Sequence, residues 1–181
     1  MHFKGWRLHF VLLAALLSLC LLTGGQWAYR HFGQEKPLAG ALEAVPGVQA
    51  VTVLPGTGTL EVQINLGPVP DLPQTYNKLE EAIQGVYGQQ PFKIILKDNP
   101  APVLNRLWQA SQYAVYEAAV RGNFTSMAAG VADLARQAGV SDYALNIDDR
   151  NIYLEFRQGQ NYLYRVIPRQ TDGQQGGRSS A

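Results

Sequence analysis

Asp142, Asp148 and Asp149 form the densest acidic grouping of the sequence, and the chemistry such oxygens would do is calcium binding. A helix–loop–helix calcium site needs Asp-x-Asp-x-Asp-Gly spacing closed by a bidentate Glu, and neither is present. Asp148-Asp149-Arg150-Asn151 reads instead as a turn, whose short polar side chains bond their own backbone. Glu80 and Glu81 are adjacent; on a helix neighbours point about 100° apart and cannot share a proton as an acid pair. Gly56-Thr57-Gly58 follows a strand pattern, but a phosphate loop must open a helix whose amides meet the anion. Another strand pattern follows here, so the three residues are read as a hairpin turn. Cys20 is the single cysteine, and the histidines are His2, His9 and His31, so the chain from residue 32 onward has neither. Thiol nucleophiles, Ser-His-Asp triads and His-ligated zinc are excluded there. The expectation is a protein without catalytic residues, cofactor or metal, and not an enzyme.

The aromatic residues carry more. Six of nine tyrosines lie between residues 113 and 164: Tyr113, Tyr116, Tyr143, Tyr153, Tyr162 and Tyr164. If Ile152, Leu154 and Phe156 face a layer of helices, Tyr153, Glu155 and Arg157 point to the other side of the sheet. The next strand is read with Tyr162, Tyr164 and Val166 inward, leaving Leu163, Arg165 and Ile167 outside. Tyr153, Arg157, Leu163 and Arg165 are therefore expected as a possible interface, since Tyr and Arg are enriched in such surfaces. Two other readings stay open: the sheets pack on each other within the chain, or the strand 162–167 faces the opposite way.

These residues are placed by a regular succession of elements. A short helical stretch, 38–45, ends at Pro46-Gly47, and Val48–Leu54 is a strand with Val51 and Val53 on one face. Leu60–Leu66 alternates, with Leu60, Val62, Ile64 and Leu66 inward. After a Pro-rich loop, 67–73, Tyr76, Leu79, Ile83 and Val86 mark a helix over 75–87, and 92–97 closes the unit as a strand. A second unit follows Asp98-Asn99-Pro100-Ala101-Pro102: helices over 103–121 and 124–138, then strands at 143–147, 152–156 and 162–167. Shifted by 92 positions, Gly47-Val48 falls on Gly139-Val140, and Leu60, Val62 and Ile64 fall on Ile152, Leu154 and Phe156. The fold class expected is α+β: an amino-terminal transmembrane helix, then two small ferredoxin-like units, each a three-stranded sheet with two helices, related by internal duplication. The α-β-β-α-β order resembles, in topology alone, the ring-building modules of sporulation and secretion-channel proteins, which also follow membrane anchors. That resemblance implies self-assembly; no sequence motif accompanies it.

Before these units lies a basic start with Lys4 and Arg7, then the apolar run Phe10–Leu22. Extended from Leu8 to Trp27, the segment makes about 30 Å of helix, enough to cross a bilayer. Trp6 stands before it and Trp27 and Tyr29 after it, at the positions of interfacial aromatics. With the positive charge first, the amino terminus is expected in the cytoplasm and the bulk outside, on a single-pass anchor. A signal peptide cleaved near Gly25, giving a secreted protein, and a lipid anchor on Cys20 are the alternatives. The organisation expected is 1–29 cytoplasmic tip and anchor, 30–37 linker, 38–98 and 99–169 the two units, and 170–181 a disordered polar tail.

Fifteen Lys and Arg balance fourteen Asp and Glu, and residues 1–29 hold two of the bases and no acid. Such a balance excludes a strongly basic nucleic-acid binder. The function expected is a membrane-anchored extracytoplasmic interaction or scaffold module, with a protein partner or a homo-oligomer. The alternative is a sensor or binding module for a small ligand or cell-wall component, with Tyr153, Arg157 and Arg165 near its site.

Overall fold

The computed structural model describes residues 35–55 and 58–170, together with Leu16, Ser18 and Leu19. The anchor, its flanks, the tip of the first hairpin and the tail after Gln170 lie outside the described residues. Among those described, no helix is long and apolar enough to cross a membrane.

The chain is α+β and builds two three-stranded sheets. The elements are α1 (Glu35–Glu43), β1 (Val48–Pro55), β2 (Leu60–Leu66), α2 (Leu72–Tyr87) and β3 (Phe92–Lys97). They continue with α3 (Pro102–Arg121), α4 (Phe124–Gln137), β4 (Asp142–Ile147), β5 (Asn151–Gln158) and β6 (Asn161–Pro168). The sheets run β1-β2-β3 and β4-β5-β6, with β2 and β5 central. All neighbours pair antiparallel except β2 and β3. A parallel partner requires a crossover, and α2 supplies it, whereas a hairpin suffices between β5 and β6.

Alternation fixes which face of each sheet is buried. Leu60, Val62 and Ile64 of β2 meet Leu38 and Leu42 of α1 and Leu79 and Ile83 of α2 in one core. Ile152, Leu154 and Phe156 of β5 meet Leu104, Leu107 and Val115 of α3 and Met127 and Val131 of α4 in another. Two helices start about three residues earlier than the sequence expectation. Helix α2 begins at Leu72 rather than Thr75, because Asp71 is its N-cap, its Oδ1 accepting from Gln74 N at 2.8 Å, and Pro73 is tolerated in the first turn. Helix α1 starts at Glu35, inside the stretch read as linker.

The expected orientation of β6 is reversed. Its register pairs Leu163 with Phe156, Arg165 with Leu154 and Ile167 with Ile152, so these three share the helix-covered face. Leu163 and Ile167 lie in that core, and Tyr162 and Tyr164 lie on the opposite face of the sheet. Strand β6 is apolar on both sides, so alternation carries no sign that says which side is which.

The two hairpins match in detail. Val51 pairs Ile64 and Val53 pairs Val62 in the first, and Tyr143 pairs Phe156 and Leu145 pairs Leu154 in the second, each 92 positions on. Each follows a glycine in the left-handed region, Gly47 at φ 95° and Gly139 at φ 69°. Their surroundings differ. A Cβ on Gly139 would meet nothing within 4 Å, whereas one on Gly47 would overlap Val69 Cγ1. Gly139→Ala is expected to cost about 1–2 kcal/mol of backbone strain. Gly47→Ala is expected to cost about 1–3 kcal/mol more through overpacking, read from paired urea unfolding curves.

Candidate functional site

The outer face of the second sheet is where the sequence-predicted residues meet, and it is closed by the first unit. Val48, Leu66, Val69, Leu72, Tyr76 and Leu96 of the first unit pack against Tyr153, Tyr162, Tyr164 and Val166. The loop between β2 and α2 is stapled down by polar atoms. The Tyr164 hydroxyl donates to Gly67 O at 3.1 Å and accepts from Val69 N at 3.1 Å. Arg157 donates to Val69 O and to the Glu155 carboxylate. Glu155 is 4% exposed, a rare place for a carboxylate without a partner. Burial raises its carboxyl above the usual range, and the Arg157 guanidinium opposes that rise.

A second polar cluster fastens α2 to the turn between β4 and β5. Asp148 accepts from Arg150 N at 2.8 Å and Asn151 N at 2.6 Å, and from the Tyr153 hydroxyl at 2.8 Å. Burial alone would raise this carboxyl; the donors outweigh it and hold Asp148 below its ordinary value. Arg150 reaches across the seam, donating to Asn77 Oδ1 at 2.9 Å and meeting the Glu80 carboxylate at 2.7 Å as an ion pair without directed hydrogen-bond geometry. Tyr76 stands edge-on to Tyr153 with ring centres 5.9 Å apart.

Beside the seam, the backbone leaving β3 borders β6. Asn99 bridges Tyr162, whose N–H donates to Asn99 O at 3.1 Å, and Asp98 accepts from Tyr164 N at 2.9 Å. From this junction β3 and β6 open into a cleft of about 470 Å³, bordered by Tyr76, Lys93, Lys97, Asp98 and Arg165. Arg165 is tied down from both sides, by Asp98 at 2.8 Å and by the Trp108 ring at 5.6 Å.

Of the four residues expected as an interface, the structure puts Tyr153 and Arg157 on the seam, Leu163 in the helix-side core and Arg165 at the cleft. They are not one surface, because β6 faces the other way, and Tyr153 and Leu163 are fully buried. The arrangement realises both open readings: the sheet packs within the chain, and strand β6 faces the opposite way. Glu155 shares the Tyr153 and Arg157 face by simple alternation. Val69, Tyr76 and Asp98 had no sequence signal that placed them at this seam, since each is brought in by a contact between the units. Among the described residues no group of three or more potential ligand side chains gathers to hold a metal.

The seam tyrosines give a pH test. Burial raises the Tyr76 and Tyr164 hydroxyls to about 12, and raises Tyr153 further. A raised acid favours the folded state while neutral, so this contribution is complete below pH 10 and lost as pH climbs through about 12. At about 1.4 kcal/mol per unit, each of Tyr76 and Tyr164 contributes up to about 2–3 kcal/mol. An alkaline titration should show these phenolates appearing late and together with loss of tertiary circular dichroism. Normal, non-cooperative tyrosinate formation without unfolding would contradict the assignment.

No protein-family model matches the chain, and no curated protein shows significant similarity to it.

Proposed function

We propose that this chain is a membrane-anchored extracytoplasmic interaction or scaffold module that assembles with copies of itself or with a protein partner. Residues 8–27 form its single-pass anchor, with the amino terminus in the cytoplasm, and 38–98 and 99–169 are duplicated, ferredoxin-like units of ring-building type. The observation that carries this reading is the seam. A side-chain network with a buried carboxylate locks the two units into one block, which suits a scaffold that must transmit position and does not suit a hinged clamp. Specific polar pairs of this kind contribute orientation more than net stability.

The test combines light scattering of the detergent-solubilised full chain over a concentration series with photocrosslinking in intact cells. A defined oligomer or a captured partner is the expected result. A strict monomer that captures nothing overturns the proposal. Alkaline extraction and protease added outside the cell test the anchor: the chain should stay in the membrane and the folded part should be cut.

The cleft favours a second reading, a binding module for a small anionic ligand. Lys93 and Lys97 flank it, and both are exposed. Under that reading inorganic phosphate or citrate raises the thermal midpoint saturably, and Lys93→Ala with Lys97→Ala abolishes the rise. A midpoint indifferent to both anions removes it.

A further inference from the structure

The four strand edges are not treated alike. An unpaired edge invites another strand, and natural sheets protect edges with lysines, bulges, prolines or covering segments. Strand β3 carries Lys93 and Lys97 along its edge, and β6 is occupied at Tyr162 and Tyr164 by Asn99 and Asp98. Strand β1, by contrast, runs Val48–Pro55 without one charged residue, and among the described residues its protection is a register irregularity at Val48/Ala50 and the proline at position 55. Strand β4 has a single charge, Asp142 at its first position. The Asn99–Tyr162 bridge lies on the β3 and β6 sides of the two sheets, so β1 and β4 take no part in it. The two edges with the least charge are the matched strands of the two hairpins.

The two edges also carry an exposed apolar side chain and a groove. Leu54 near the end of β1 is 42% exposed, an unusual position for a leucine with no polar alternative. At the start of β4 lies a groove of about 350 Å³ lined by Ala132, Arg136, Gly139, Val140, Ser141 and Tyr143. We propose that β1 of one copy pairs antiparallel with β4 of the next, seating Leu54 in the groove beside Tyr143. Antiparallel pairing brings the end of one strand to the start of the other, which is where knob and groove lie. The contact joins two different surfaces, so it repeats head to tail and closes into a ring or runs on as a filament. The inference rests on the self-assembling form of the proposed function and specifies its contact.

The experiment uses the full chain in detergent with Cys20→Ser, which removes the single native thiol. Leu54→Cys and Tyr143→Cys are made as separate variants; both positions are exposed at 42% and 37%, so neither substitution empties a core. Mixed and oxidised, they should form a disulfide-linked dimer, and neither alone should do so. In parallel, Leu54→Lys, which meets Arg136 in the groove, and Thr52→Lys, which puts charge on the edge, should each weaken association at least tenfold while leaving the circular dichroism unchanged. Crosslinks in either single variant, or association unchanged in both lysine variants, overturn the edge pairing while the scaffold reading stands on its own crosslinking result. A wild-type chain that is monomeric throughout overturns the edge pairing as well, and a partner captured in cells would still uphold the scaffold.

Discussion

Tyr153→Ala lowers the unfolding free energy by about 3–5 kcal/mol, the range for truncating a buried aromatic. Tyr153 is 1% exposed, stands edge-on to Tyr76 at 5.9 Å and holds Asp148 through its hydroxyl at 2.8 Å. Its removal takes away the ring that both units share and the donor that orders the β4–β5 turn. Tyr153→Phe keeps the ring and should cost less, about 1.5–3 kcal/mol, the worth of a hydrogen bond to a charged acceptor. Urea unfolding of the three proteins, with limited proteolysis between the units, measures both effects. The alanine variant should also unfold in two steps, because the units lose their common core. An alanine cost near 1 kcal/mol, or an equal cost for phenylalanine, would sink the claim that the ring joins the units.

Arg157→Ala is the second large effect. It strips the guanidinium from a carboxylate that is 4% exposed and takes a donor from Val69 O. Breaking a fully buried pair costs about 3–5 kcal/mol; the Arg157 side chain is 31% exposed, which puts the expectation at about 2–4 kcal/mol. The pH dependence has a definite sign. Burial already raises the Glu155 carboxyl, and loss of Arg157 removes what opposes that rise. A carboxyl raised on folding contributes its stability below the ordinary carboxylate range and loses it as pH climbs through the folded value. The deficit of Arg157→Ala should therefore be largest at neutral pH and shrink in mild acid, as Glu155 takes up a proton. Adding Glu155→Gln should recover part of the loss at pH 7. A deficit that is flat with pH and unmoved by the glutamine would show that Arg157 acts only through Val69.

The sequence made the first unit readable where one face of a strand is polar. Strands β2 and β3 fall at 60–66 and 92–97 as alternation places them. Helix α2 was read three residues short because the signals that start it, Asp71 and Pro73, are also loop-forming residues. Strand β6 shows the opposite limit. Tyr162, Leu163, Tyr164, Val166 and Ile167 make both faces apolar, and only the register with β5 decides which side meets the helices. The site was half legible. Tyr153, Glu155 and Arg157 share a face by period two, but Val69, Tyr76 and Asp98 join them through contacts 66 to 95 residues apart in the chain. No local pattern encodes such separations.

The staple between Val69 and Tyr164 spans 95 residues. Strand β3 ends at Lys97, roughly 70 residues before β6 is made, so at about 5–20 residues per second of synthesis the first unit waits roughly 3–14 s for its cover. Throughout that interval Leu66, Val69 and Leu72 present an uncovered apolar edge on an otherwise finished unit. The nascent chain is then a ready client for a holdase, and a truncation just after β3 would leave that edge permanently adhesive. Completion of the chain, more than the folding of either sheet, is the step that makes the surface inert.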